Sequence, residues 1–200
     1  MNSIRQLTTA LALGVMSVSA FAASTVYTSS SSFLSQVAPG AYTETFNGLS
    51  TPAAGAVAFS GGGFSYSLFA PSDLYASGDF IGTSQIDEAL TISFLSGNVY
   101  AVGGNFFATN IADAFQAVQI SLSLSDGTTV SFTPTSLADS YRGFVSTTAI
   151  TSLTISAPGQ SLYAGLDNLT VAAAVPEPAS WALASLGIAG LAAFARRRRA

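Results

Sequence analysis

The chain has 200 residues, 49% of them hydrophobic and only 8% charged, which allows one domain with a real core and disfavours global disorder. It contains no His, Cys or Lys, which excludes Ser-His-Asp and Cys-His nucleophile systems, thiolate or imidazole zinc sites, Schiff-base lysines and disulfides. The basic residues are Arg5, Arg142 and the run Arg196 to Arg199, so with both ends set aside the body is strongly acidic and repels nucleic acid.

Residues 1–22 read as a secretory signal peptide. Arg5 supplies the positive start, and the stretch from Leu7 to Phe21 is largely apolar and free of charge. Ala20 and Ala22 put small residues at both positions a signal peptidase reads, so the mature chain is expected to begin at Ala23.

The body, residues 23–174, shows no long helical periodicity. Ser29 to Ser32 reads as a solvated, flexible lead-in. Strands are expected over Val57–Ser60, Phe64–Phe69, Leu90–Leu95, Val99–Val102, Phe144–Thr147, Ile150–Ser156 and Leu166–Ala172, with a helical turn or two at most near Ile86–Leu90. The clearest element is a hairpin. Val118–Ser125 and Thr128–Thr133 alternate apolar and polar residues around Asp126-Gly127, where glycine supplies the positive φ of a tight turn. Val118, Ile120, Leu122, Leu124, Val130 and Phe132 should face a core, and Pro134 ends the second strand. Short strands separated by Gly, Ser, Asp, Asn and Pro predict an all-β fold, an antiparallel β-sandwich of jelly-roll type.

Residues 175–200 form a distinct tail. Val175 is followed by Pro176-Glu177-Pro178, whose prolines forbid a regular helix or central strand. An uncharged run from Trp181 to Ala195 comes next, spanning about 22 Å as a helix, and Arg196, Arg197, Arg198 and Arg199 close it. This predicts a short transmembrane helix with Trp181 at the interface and the arginines held on the cytoplasmic side as a stop-transfer signal. The ordered set resembles the sorting tail of PEP-CTERM proteins, the exosortase substrate class of Gram-negative bacteria. The resemblance implies membrane insertion of the tail, recognition by an exosortase-type processing enzyme, and release to the cell surface or exopolysaccharide matrix. The body is also similar to an ectodomain common in that class, through Glu44-Thr-Phe-Asn-Gly48, Asn105-Phe-Phe107, Asp126-Gly127, Gly143-Phe-Val145, Ile150 to Ile155 and Leu166-Asp-Asn-Leu-Thr-Val171, in that order. That likeness implies fold and destination, not chemistry.

Candidate sites are few. In sandwiches resembling carbohydrate-binding modules the first and last strands pair and can hold a structural calcium, for which Glu44, Asn47 and Asp167 are the candidate oxygen ligands; Asn47-Gly48 and Asp167-Asn168 equally suit turn and strand-edge positions. Asp87-Glu88 is the one adjacent acid pair, and its side chains would diverge in a strand. Gly61-Gly62-Gly63 lacks the Lys of a phosphate loop and reads as a bend or bulge, as does Gly103-Gly104. Tyr75 and Tyr141 are the best candidates for exposed, sugar-stacking rings, and Arg142 could pair with Asp139. The expected role is a non-enzymatic, exported surface or matrix protein used for structure or adhesion. The alternatives are a carbohydrate-binding module contacting exopolysaccharide and, behind it, a carboxylate-based glycosidase.

Overall fold

The structure, a computed structural model, describes residues 23–49 and 53–174. The expected signal peptide, Ala20 and Ala22, the Pro176-Glu177-Pro178 motif, Trp181, the tail helix and Arg196 to Arg199 lie outside those residues. Among the described residues no helix is long and apolar enough to cross a membrane.

In chain order the elements are β1 (Thr25–Tyr27), α1 (Ser30–Leu34), β2 (Tyr42–Glu44), β3 (Ala53–Ala54), β4 (Val57–Gly61), β5 (Phe64–Phe69), β6 (Asp73–Ala76), β7 (Ile81–Thr83) and β8 (Leu90–Phe94). There follow β9 (Ala101–Thr109), β10 (Phe115–Gln116), β11 (Ile120–Leu124), β12 (Thr129–Phe132), a 3-10 turn at Ala138–Ser140, β13 (Tyr141–Val145), β14 (Ser152–Ser156) and β15 (Tyr163–Ala172). The described strands make two antiparallel sheets. One has nine strands, in the order β1-β13-β9-β15-β7-β6-β3, with β10 added to β9 and β2 to β15; the other has six, in the order β12-β11-β14-β8-β5-β4.

Alternation decides the packing. Along β11, Ile120, Leu122 and Leu124 are buried while Ser121 and Ser123 face outward, as a period of two requires. Tyr66, Leu68, Ile92, Leu122, Leu153 and Ile155 of the six-stranded sheet meet Val102, Phe106, Phe144, Leu166, Leu169 and Val171 of the nine-stranded sheet in a single apolar core. This is sheet-on-sheet packing. The expected hairpin is present, with Asp126 Oδ1 accepting from the Thr128 N–H and Gly127 at φ 89°. Gly62 and Gly63, both at positive φ, form the two-residue turn between β4 and β5, the backbone state a tight hairpin demands.

Four expectations are corrected. The serine run is not a flexible lead-in: the Ser29 side chain accepts from the Ser32 N–H and caps α1, and Phe33 of α1 is fully buried. Phe33 packs with Tyr141, Ala101 and Ala172 in a second, smaller core on the outer face of the nine-stranded sheet. This apolar anchor orders a segment whose composition alone suits a linker. The helical turn near Ile86–Leu90 is absent; Asp87 sits there at φ 59°, outside helical geometry, and Leu90 opens β8. Gly103 and Gly104 are not a bend, because they lie mid-strand in β9 opposite Gly143 and Arg142. A Cβ on Gly103 would collide with the Tyr141 hydroxyl, and one on Gly143 would come within 2.5 Å of the Phe33 ring. Those glycines exist to admit two rings. Tyr141 is therefore buried rather than exposed: its ring lies 6.2 Å from that of Phe33, its hydroxyl has no hydrogen-bond partner among the described residues, and burial pushes its pKa up to about 12.

Candidate functional site

The two central strands of the nine-stranded sheet, β9 and β15, run antiparallel, so residues directly opposite share a face. On the outer face this places Phe107 opposite Gly165, Asn105 opposite Asp167, and Thr109 opposite Tyr163. The row continues sideways, with Gly165 opposite Gly82 of β7 and Gly82 opposite Tyr75 of β6. Two ring-bearing residues are thus separated by two glycines across four strands. The absent side chains make a hollow, and Phe107 leans into it: a Cβ on Gly165 would lie 2.7 Å from the Phe107 ring. Phe80, from the β6–β7 loop, completes an aromatic cluster, with its centroid 5.3 Å from Phe107 and 6.2 Å from Tyr75.

Around this floor lies a cavity of about 440 Å³, walled by Asp79, Asp113 and Asp167, by the amides of Asn105 and Asn168, and by Phe115. A β-bulge builds the polar wall. The β9–β15 register shifts between Asp167 and Thr170, and Asn168 takes φ 52° there, a conformation asparagine tolerates better than most residues. Its N–H donates to Asp167 Oδ1 at 2.6 Å, and its side-chain amide donates to Asp167 Oδ2 at 2.7 Å and to Asn105 Oδ1 at 3.3 Å. Asn105 in turn donates to the Leu137 carbonyl and to Ser140 Oγ, so the wall is pre-organised. Burial, and less strongly the charge of Asp79, hold the Asp167 carboxyl above the usual aspartate range against the lowering effect of the Asn168 N–H. Tyr75 donates to Asp113 Oδ2 at 2.6 Å, and that hydrogen bond raises its pKa.

The sequence candidates distribute unevenly over this site. Asp167 belongs to it. Tyr75 stands at its rim, half-buried, with its hydroxyl engaged. Glu44 does not: it pairs in register with fully buried Leu169, so it faces the core side of the sheet, whereas Asp167 faces out. The Glu44 oxygens already accept from the Tyr42 hydroxyl and the Phe46 N–H, and Asn47 sits exposed in the turn that follows. Glu44, Asn47 and Asp167 therefore do not fit one calcium shell, although β2 and β15 do pair as the resemblance implied. Asp87 and Glu88 brace loops, accepting from the Gln160 and Ser161 N–H groups and from Ser72 respectively. Arg142 does not reach the Asp139 carboxylate; it donates to the carbonyls of Asp139 and Tyr141 and lies 3.7 Å above the Phe132 ring, a cation–π contact.

Sequence reading missed Asp79, Phe80, Asn105, Phe107, Asp113 and Asn168 as one constellation, because only the register of four strands joins them. The available signal was Gly82 and Gly165, two glycines inside strand patterns, which mark a close approach.

Residues 174–199 match the PEP-CTERM protein-sorting motif. The tail is an exosortase sorting signal. It marks the chain as a surface protein that is exported, held in the membrane by its C-terminal tail for a time, and then processed. No curated protein and no solved structure matches the chain.

Proposed function

We propose that the PEP-CTERM tail delivers a jelly-roll-type β-sandwich to the cell surface or extracellular matrix, where it acts as a non-enzymatic binder of exopolysaccharide. The observation that carries this reading is the cleft on the outer face of the nine-stranded sheet. Its ring cluster offers the half-exposed faces of Phe80 and Tyr75, backed by buried Phe107, to the C–H side of a sugar, and its carboxylates and amides offer acceptors and donors to hydroxyl groups. The volume of about 440 Å³ lies in the range that small-ligand sites occupy. A long polymer held along such a face would tie the protein into a biofilm matrix without any catalytic group.

The same cleft raises hydrolysis as the second reading, because Asp79 and Asp167 lie close enough for their charges to interact. A general acid needs a free, protonated oxygen, whereas both Asp167 oxygens accept from Asn168. Binding is the better fit. A glycan array on the exported protein tests both readings: neutral or amino-sugar polymers should bind, Phe80→Ala should abolish that binding, and no reducing sugar should be released. Retained binding by Phe80→Ala would remove the cleft from the account, and release abolished by Asp167→Asn would establish the hydrolase.

A further inference from the structure

We infer that the cleft is one half of a two-compartment trough that reads a partly N-deacetylated amino-sugar polymer, an ammonium-bearing unit at its acidic end and an acetylated unit at its aromatic end. The inference rests on the carbohydrate reading above and names the class of sugar. A second cavity, of about 120 Å³, adjoins the first, and Phe80, Thr109 and Asp113 line both. Two compartments with a shared wall suit consecutive units of a chain better than one free sugar.

The compartments differ in chemistry. The larger is lined by Asp79, Asp113 and Asp167 with the two amides, and no basic side chain lines it. Arg142, the one cation among the described residues, lies buried against Phe132 on the inner side of the sheet. The charge of Asp79 bears on Asp167, so an arriving ammonium relieves a repulsion already present, whereas a uronate or sulfated unit adds to it. The smaller compartment is lined by Tyr75, Tyr163, Gly82 and Ile111, the last 84% exposed at the tip of the β9–β10 turn. Its one carboxylate is the shared Asp113, whose Oδ2 accepts from the Tyr75 hydroxyl at 2.6 Å. An acetyl methyl can pack against Ile111 and the rings there, and an ammonium would meet fewer carboxylates than in the larger compartment.

The test is calorimetric titration of the exported protein with three tetrasaccharides: N-acetylglucosamine only, glucosamine only, and a mixed species. The mixed species should bind tightest. Asp79→Asn should weaken the amine-bearing ligands by about tenfold and leave the fully acetylated one unchanged, while Ile111→Ser should do the reverse. Equal binding of all three with no effect of Asp79→Asn would overturn this inference and leave the carbohydrate reading intact. Amine-only binding that about 0.5 M salt removes and Phe80→Ala does not touch would mark non-specific attraction of a polycation, and would overturn it too. Failure of every tetrasaccharide to bind would take down both readings.

Discussion

The outer faces of the two sheets are built from similar period-two strands, yet they end in opposite states. On the six-stranded sheet most outward positions are short hydroxyls: Ser121 opposite Ser131 with oxygens 2.9 Å apart, Ser123 opposite Thr129, and Thr91 opposite Thr154, with the exposed ring of Phe69 at the end of that last row. That face bonds to itself and to water. On the nine-stranded sheet the outward positions mix glycine, alanine and aromatic residues with the polar Asn105, Thr109 and Asp167, and the face is covered by Phe33 at one end and hollowed into a trough at the other. The inward residues of both sheets build a core and nothing more, while the size of the outward residues decides whether a face does anything further. Glycines beside rings open a hollow; rows of paired small hydroxyls make a wetted wall.

Removing what covers the nine-stranded face should have the largest effect. Phe33→Ala should cost about 3–5 kcal/mol, because it empties a fully buried site framed by Gly143, Tyr27 and Tyr141. For a body of this size that lowers the melting temperature by on the order of 10 °C. Gly143→Ala attacks the same packing from below and should cost about 1–3 kcal/mol through overpacking. For scale, Leu122→Ala in the main core should cost about 2–5 kcal/mol. Were α1 the mere lead-in that its serines suggest, Phe33→Ala would shift the melting curve no more than a surface change does, and the second core would be a fiction.

How far the sequence could be read follows from the same contrast. The hairpin at Asp126-Gly127, the strand at Phe64–Phe69 and the sandwich class were legible because alternation and turn chemistry are local. The sorting tail was legible because Pro176-Glu177-Pro178, the apolar run and the arginines are contiguous in the chain. The trough was not. Phe107, Gly165, Gly82 and Tyr75 are neighbours only through three strand pairings that no local pattern announces. Tyr141 was misread for a related reason: polar loop neighbours in sequence say nothing about a ring on a strand that leans across a glycine and under Phe33.

A smaller effect is expected where the N-terminal segment crosses from one sheet to the other. Ser24 is buried, its N–H donates to Thr128 Oγ1 at 2.9 Å, and its hydroxyl donates to Asp126 Oδ2 at 2.6 Å, so the segment that carries Phe33 to the nine-stranded sheet starts from the β11–β12 turn of the other. Burial opposes ionisation of Asp126, but hydrogen bonds from Ser24, Thr128 and Ser146 outweigh it and hold the carboxyl below its ordinary range. A depressed folded-state value stabilises the fold wherever the unfolded carboxyl is ionised, and that stability is lost as pH falls through the folded value. Asp126→Asn should therefore cost about 1 kcal/mol near neutral pH, after allowance for solvent screening. The gap in melting temperature should begin to close below about pH 4 and vanish only once the pH is below the depressed folded-state value. A gap that persists unchanged into acid would mean that shape, not charge, holds the segment.

The smallest expected effect tests the wetted wall itself. Ser121 and Leu122 are adjacent on β11 and paired to the same strands, but one points out and the other into the core. Ser121→Ala removes one member of a hydroxyl pair at the surface, and both Ser131 and the lost group's water partners can re-form hydrogen bonds with solvent. The change should stay within about 0.5 kcal/mol, against several for its neighbour. Combining it with Ser123→Ala and Thr154→Ala should add little more, since each lost hydroxyl pairs with another surface hydroxyl that solvent can satisfy. If the triple variant instead loses several degrees, or begins to self-associate, then the hydroxyl rows serve to keep an otherwise flat, uncharged sheet from meeting another copy, and the two faces would be two kinds of interaction surface rather than one site and one wall.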